Sequence, residues 1–118
     1  MQRIVVVEDN DSLALVMETV LSTAHYQVHI AGSGEEALNL VQEHRPRLIF
    51  MDLELPNMDG YSTCAILKNE YPDTRVLGFS ADMSPSVKRK CLAAGMDDAY
   101  DKAVEPEELI RITRQHIS

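Results

Sequence analysis

Apolar residues are arranged along this chain in two alternating ways. Short unbroken runs recur at Ile4-Val5-Val6-Val7, Leu48-Ile49-Phe50-Met51 and Val76-Leu77-Gly78-Phe79. Runs of that length and composition predict strands buried on both faces. Between the first two, Leu13, Val16, Met17, Val20 and Leu21 recur at i, i+3, i+4, i+7 and i+8, the inward stripe of a helix. Leu15 falls off that stripe and is expected at the surface, where a partner domain would cover it. Gln27 to Ala31 alternates polar and apolar, as an edge strand does.

The remaining helices carry start and stop signals. Ser33 is placed to cap a helix, with Glu36 as the reciprocal partner of a capping box and Ala37, Leu38 and Val41 on the inner face. A short helix over Gly60 to Asn69 turns Tyr61 and Cys64 inward. Ser84-Pro85 reads as N-cap and first helical position, Val87, Cys91 and Ala94 line one face, and Gly95 ends the helix. A weak strand near Ala99-Tyr100 precedes a last helix opened by Pro106, with Leu109 and Ile112 inside. Glu107 and Glu108 occupy its first turn, where the helix dipole favours acids. The result is five strands strictly alternating with five helices. That order predicts an α/β fold, a doubly wound parallel sheet with right-handed crossovers and helices on both faces.

Composition narrows the picture. At 118 residues, with 45% hydrophobic and 25% charged residues, the chain fits one ordered globular domain spanning residues 1–118. It has no apolar run near the roughly 18 residues of a membrane span. It also has no signal-peptide cleavage pattern at its start, so a cytoplasmic location is the default expectation. The net charge of −8 argues against direct nucleic-acid binding by this domain, although a longer parent chain would be free to carry a separate DNA-binding domain. Cys64 and Cys91 read as reduced, packed thiols, and the four scattered histidines give zinc no support.

In such a sheet the ligand site lies at the carboxyl ends of the strands. Glu8 and Asp9 follow the first strand, Asp52 the third, Ser80 the fourth and Lys102 the fifth. Taken singly, each has an ordinary reading: loop acids, a turn aspartate, a helix-capping serine, a surface lysine. Together they are three carboxylates that cannot all stay ionised at close quarters without compensation. A divalent cation bound by hard oxygens provides it, and Mg²⁺ suits such a site. Lys102 and Ser80 add an ammonium and a hydroxyl, the groups that stabilise a phosphoryl group being transferred to a carboxylate nucleophile.

The segments VVVEDN, GSGEEAL, PRLIFMDLELPNMDG, FSAD and AAGMDDAYDK, in this order and spacing, resemble the receiver domain of bacterial response regulators, the CheY-like family with a flavodoxin-like fold. The resemblance covers essentially the whole chain. It implies a (βα)5 sheet of strand order 2-1-3-4-5 and a role in two-component phosphorelay signalling. Asp52 would accept a phosphoryl group from a histidine kinase or histidine phosphotransfer protein. Asp9 and Asp52 would hold Mg²⁺ directly, Glu8 mainly through water, and the backbone carbonyl of Glu54 would add a ligand. Ser80 and Lys102 would contact the phosphoryl group, Pro56 and Gly60 would shape the adjacent loop, and Glu54 and Asp82 would tune phosphate lifetime. Such a domain is no enzyme beyond its own phosphorylation and dephosphorylation. It would switch a surface for a downstream protein, with no membrane contact.

Two positions depart from the pattern. The family places a proline after its lysine, in cis, where this chain has Ala103. A non-proline cis bond costs about 2.5–4 kcal/mol, so the expectation is a trans bond, or else an unusually well-buttressed strained one. The family's switch aromatic is replaced by Ala99, and strand alternation sends the next residue, Tyr100, to the other face. These departures support an alternative, a degenerate receiver acting as a constitutive interaction module. A phosphatase with an aspartyl-phosphate intermediate is disfavoured, because those enzymes tend to carry aspartate at the position of Glu54. Lys88-Arg89-Lys90, the sole basic cluster, reads as a solvated helix face or a docking edge.

Overall fold

A computed structural model describes residues 1–117. The elements alternate without exception: β1 (Arg3–Val7), α1 (Asp11–Thr23), β2 (Gln27–Ala31), α2 (Gly34–His44), β3 (Leu48–Asp52), α3 (Gly60–Glu70), β4 (Arg75–Ser80), α4 (Pro85–Ala93), β5 (Asp98–Asp101) and α5 (Pro106–His116). The strands form one parallel sheet in the order β2-β1-β3-β4-β5. The order reverses between β1 and β3, so their carboxyl ends flank a crevice.

Alternation along the strands splits the core in two. Val5, Val7, Ile49, Met51 and Val76 face α2, α3 and α4 with Cys64, Leu67 and Cys91. Ile4, Val6, Phe50, Leu77 and Phe79 face α1 and α5 with Met17, Leu21, Leu109 and Ile112. Burial on both faces explains why β1, β3 and β4 show no polar alternation. It also disfavours the thiolate form of both cysteines: desolvation pushes the Cys64 thiol up to about 11 and raises that of Cys91.

Local signals set the helix starts. Ser33 accepts from the Glu36 amide at 3.2 Å, and Ser84 accepts from the Val87 amide at 3.4 Å with Pro85 behind it. The reciprocal bond of the expected capping box is displaced by one residue: Glu36 Oε2 accepts from the Gly32 amide at 3.2 Å rather than from Ser33.

The inward face of α1 differs from the expected stripe. Ala14, Met17 and Leu21 are buried, whereas Val16 is 55% exposed beside Leu15 at 59%. Tyr61 is only partly buried, and Thr63 joins Cys64 and Leu67 on the inner face of α3.

Ala99 lies 2% exposed on the α3/α4 side, and Tyr100 on the opposite side packs edge-on against Phe79. The Tyr100 hydroxyl donates to Asp98 Oδ2 at 3.1 Å and meets His116 Nε2 at 3.0 Å. Asp98 also pairs with Lys88 at 3.2 Å, so one member of the basic cluster is committed within the domain. Arg89 and Lys90 are exposed.

At the far side of the sheet, His29 on β2 stacks on His44 at the end of α2, ring centroids 3.6 Å apart. Among the described residues, the buried His29 Nε2 has no hydrogen-bond partner. Burial, then His44 and Arg3, lower the pKa of His29 below the ordinary 6.5, against weaker opposition from Glu43 and Glu18. A histidine harder to protonate when folded contributes stability that is full above its unfolded pKa and is lost as pH falls toward the lowered folded value. Thermal melts between about pH 7.5 and 5.5 should show the melting temperature falling with pH. In His29→Gln the slope should flatten, and an unchanged slope would remove His29 as the cause.

Candidate phosphoryl-acceptor site

Each residue of the site leaves the sheet at a strand's carboxyl end, and the β-branched runs behind it set its depth. Asp52 is the last residue of β3, wholly buried along its length, and its side chain is 2% exposed. Glu8 follows β1, its amide tied to the Ala31 carbonyl at 2.9 Å, and is 4% exposed. Asp9, next in sequence, is exposed. One carboxylate oxygen from each of Glu8, Asp9 and Asp52 lies within 4.8 Å of the others.

Lys102 leans into this group from the end of β5. Its Nζ lies 2.9 Å from Asp52 Oδ1 and 3.0 Å from Glu8 Oε1. The amide of Lys102 donates to the Ser80 carbonyl at 3.0 Å, which fixes the start of its loop on β4. The bond to Ala103 is trans: among the described residues no peptide is cis. The physical reason is the residue type, because a cis bond before a non-proline residue costs about 2.5–4 kcal/mol. Ala103 has the N–H that proline lacks, and donates it to Asp101 Oδ1 at 2.8 Å.

The electrostatics follow from burial. Desolvation raises the Asp52 carboxyl above the ordinary carboxylate value; the Lys102 contact opposes this and Glu8 adds to it. Burial disfavours the Lys102 ammonium, but its hydrogen bonds to Asp52 and Glu8 outweigh that and its pKa rises. Three acids share this rim with one ammonium, which contacts Glu8 and Asp52, and among the described residues the buried Asp52 Oδ2 has no hydrogen-bond partner. A compact, oxygen-only, electronegative set with an orphaned carboxylate oxygen fits a hard divalent cation such as Mg²⁺.

The β3–α3 loop closes one wall. Glu54 N–H donates to Asp52 Oδ1 at 3.1 Å, and Asp59 caps α3 through the Ser62 amide at 2.8 Å. Gly60 packs so tightly under Asp52 that a Cβ there would collide with the Asp52 carbonyl oxygen. Pro56 accepts from Met58 N–H at 2.7 Å, and Asn57 takes the left-handed backbone at φ 67°.

Ser80 ends β4 and is buried, but its hydroxyl does not turn to Asp52. It donates to Glu54 Oε1 at 2.7 Å and accepts from the Asp82 amide at 3.1 Å. Asp82 in turn accepts from Ser84 N–H at 3.2 Å. The structure therefore gathers Glu8, Asp9, Asp52 and Lys102 tightly, and ties Ser80 to Glu54 at their edge. Sequence reasoning missed two of these contacts, the direct Glu8–Lys102 pair and the Ser80–Glu54 bond. The two-residue step from Asp52 to Glu54 was the available signal for the second.

Fold and site together define a class: a doubly wound α/β domain with an acidic, lysine-capped pocket at the carboxyl rim of its sheet. Comparison with known proteins agrees. The model of the response regulator receiver domain matches residues 4–114. Protein PilG of Pseudomonas aeruginosa is 30% identical over 117 residues, covering 98% of this chain and 87% of that protein. The DNA-binding response regulator MtrA of Mycolicibacterium smegmatis is 33% identical over 98% of this chain, but only 50% of its own length. The chain spans about half the length of several curated relatives it matches. Among solved structures, the Vibrio cholerae chemotaxis protein CheY4 superposes with a TM-score of 0.95 at 27% identity, covering 99% of both chains. The chain belongs to the response regulator receiver domain family of two-component systems.

Proposed function

We propose that this domain is a phosphorylation switch, with Asp52 the acceptor of a phosphoryl group from a phosphohistidine on a histidine kinase or phosphotransfer protein. The observation that carries the reading is Lys102 Nζ bridging the buried carboxylates of Asp52 and Glu8 beside Asp9. In the transfer an Asp52 carboxylate oxygen bonds to phosphorus as the phosphorus–nitrogen bond of the donor breaks. The imidazole nitrogen keeps the electron pair and takes up a proton. Lys102 is placed to pair with the growing negative charge, and the Glu54 amide holds Asp52 Oδ1 from the β3–α3 loop. Asp9 and Asp52, with Glu8 behind them and the Glu54 carbonyl assigned by resemblance, would hold Mg²⁺. The bound cation supplies positive charge that screens the phosphoryl oxygens.

Phosphorylation would shift the loops after β3 and β4 between two populated conformations and so alter a protein-binding surface. The domain would act in the cytoplasm, contact neither membrane nor nucleic acid itself, and catalyse only its own phosphorylation and dephosphorylation. DNA binding, which belongs to MtrA by its name, would reside outside the matched segment. Ala99 keeps the constitutive interaction module as a second reading. Incubation with Mg²⁺ and acetyl phosphate, followed by intact mass, separates the two. The switch gives one added phosphoryl group that a chelator abolishes; the module gives none at any donor concentration.

A further inference from the structure

We propose that Glu54 is a positioning residue, a latch that holds the Ser80 hydroxyl away from Asp52 until a phosphoryl group arrives. The inference rests on the reading of Asp52 as acceptor and adds how this chain sets its resting state. A serine hydroxyl has a single proton to donate. Here that proton is committed to Glu54 Oε1 at 2.7 Å, and an Oγ lone pair is engaged by the Asp82 amide at 3.1 Å. Ser80 is 1% exposed, so its hydroxyl has no ready exchange with water.

The latch is wired to the acceptor. The amide of Glu54 donates to Asp52 Oδ1, and its side chain receives Ser80. The chain of bonds continues from Ser80 through Asp82 to Ser84, the N-cap of α4. Glu54 thus begins a chain of bonds from the acceptor carboxylate to the start of α4, which lies on the same face of the sheet as α3. Placing a phosphoryl group on Asp52 adds negative charge beside the Glu54 carboxylate, which disfavours that carboxylate's present position. Release of Ser80 frees its proton for a phosphoryl oxygen and withdraws the acceptor that orders the Asp82 amide.

A carboxylate near an anion site also acts by simple repulsion, and the two effects separate in a double-mutant cycle. The first cycle uses metal-free protein: wild type, Glu54→Ala, Ser80→Ala and the double variant, compared by denaturant unfolding. The latch predicts non-additivity of about fivefold in the unfolding equilibrium constant, the size of a partly exposed hydrogen bond. The second cycle measures Mg²⁺-dependent binding of beryllium trifluoride, a phosphoryl mimic. Glu54→Ala should tighten binding about fivefold when Ser80 is present and little when it is alanine. Glu54→Gln, which still accepts from Ser80 without the charge, should fall between.

Additive unfolding effects, or equal tightening in both backgrounds, would overturn the latch while leaving Asp52 as acceptor. A wild type that takes neither the mimic nor a phosphoryl group would overturn both readings at once.

Discussion

A Lys102→Met variant is expected to lose about 3 kcal/mol of stability at neutral pH in metal-free buffer. Among the described residues, Lys102 is the one cation in contact with these two carboxylates, which are 4% and 2% exposed. Removing it leaves buried charges uncompensated, which costs far more than the loss of a surface pair. Adding Mg²⁺ should return much of the stability, because the same oxygens then gain another positive partner. Acidification should return part of it as well: the Asp52 carboxyl is already raised by burial and protonates readily when its ammonium is gone. The sign at high pH is opposite. A lysine whose folded pKa exceeds the ordinary 10.5 contributes stability that is full below that value and lost as pH rises through the folded one. Denaturant melts of both proteins with and without Mg²⁺ test this. Equal midpoints in chelator would mean that the Lys102 contacts carry no net stability.

An Asp52→Asn variant should take up phosphoryl groups from acetyl phosphate at least about a thousandfold more slowly than wild type. The amide keeps the side chain's shape and an oxygen facing Lys102, but it is a poor nucleophile and forms no acyl phosphate. The neighbouring acids are poorly placed to substitute. Glu8 is held by Lys102 through Oε1 and by the Asn10 amide through Oε2 at 3.2 Å, and Asp9 lies in the open. Intact mass over a time course is the readout. Uptake by the variant at the wild-type rate would move the acceptor elsewhere.

Much of this arrangement is legible from residue types alone. The runs Ile4–Val7, Leu48–Met51 and Val76–Phe79 are too short for helices and too apolar for edges, so they define the buried strands. Polar residues just beyond them then fall at one rim by topology. The trans bond at Ala103 also follows from the residue type. The side of α1 that faces inward was harder to read. Apolar residues fill every position from Leu13 to Met17, so periodicity alone permits more than one stripe. The small Ala14 is buried against the sheet while Val16 turns outward, a choice made by packing.

Pairings within the site depend on turn geometry, which a single sequence does not encode plainly. The same is true of the Glu36 bond to Gly32. Ser80 meeting Glu54 requires two loops, after β3 and after β4, to approach each other at a particular angle. Likewise, Glu8 reaching Lys102 depends on the stagger between β1 and β5 ends, which are separated by two strands.

On this reading a phosphoryl group lands on Asp52 in a cation-dependent reaction. Borohydride reduction of the protein after reaction with Mg²⁺ and acetyl phosphate records where it lands, because an aspartyl phosphate is reduced to homoserine. Peptide sequencing by mass should then find homoserine at position 52 and lose it when chelator replaces Mg²⁺. Homoserine confined to another acid, or a yield at Asp52 unaffected by chelator, would rule out cation-dependent phosphorylation of Asp52.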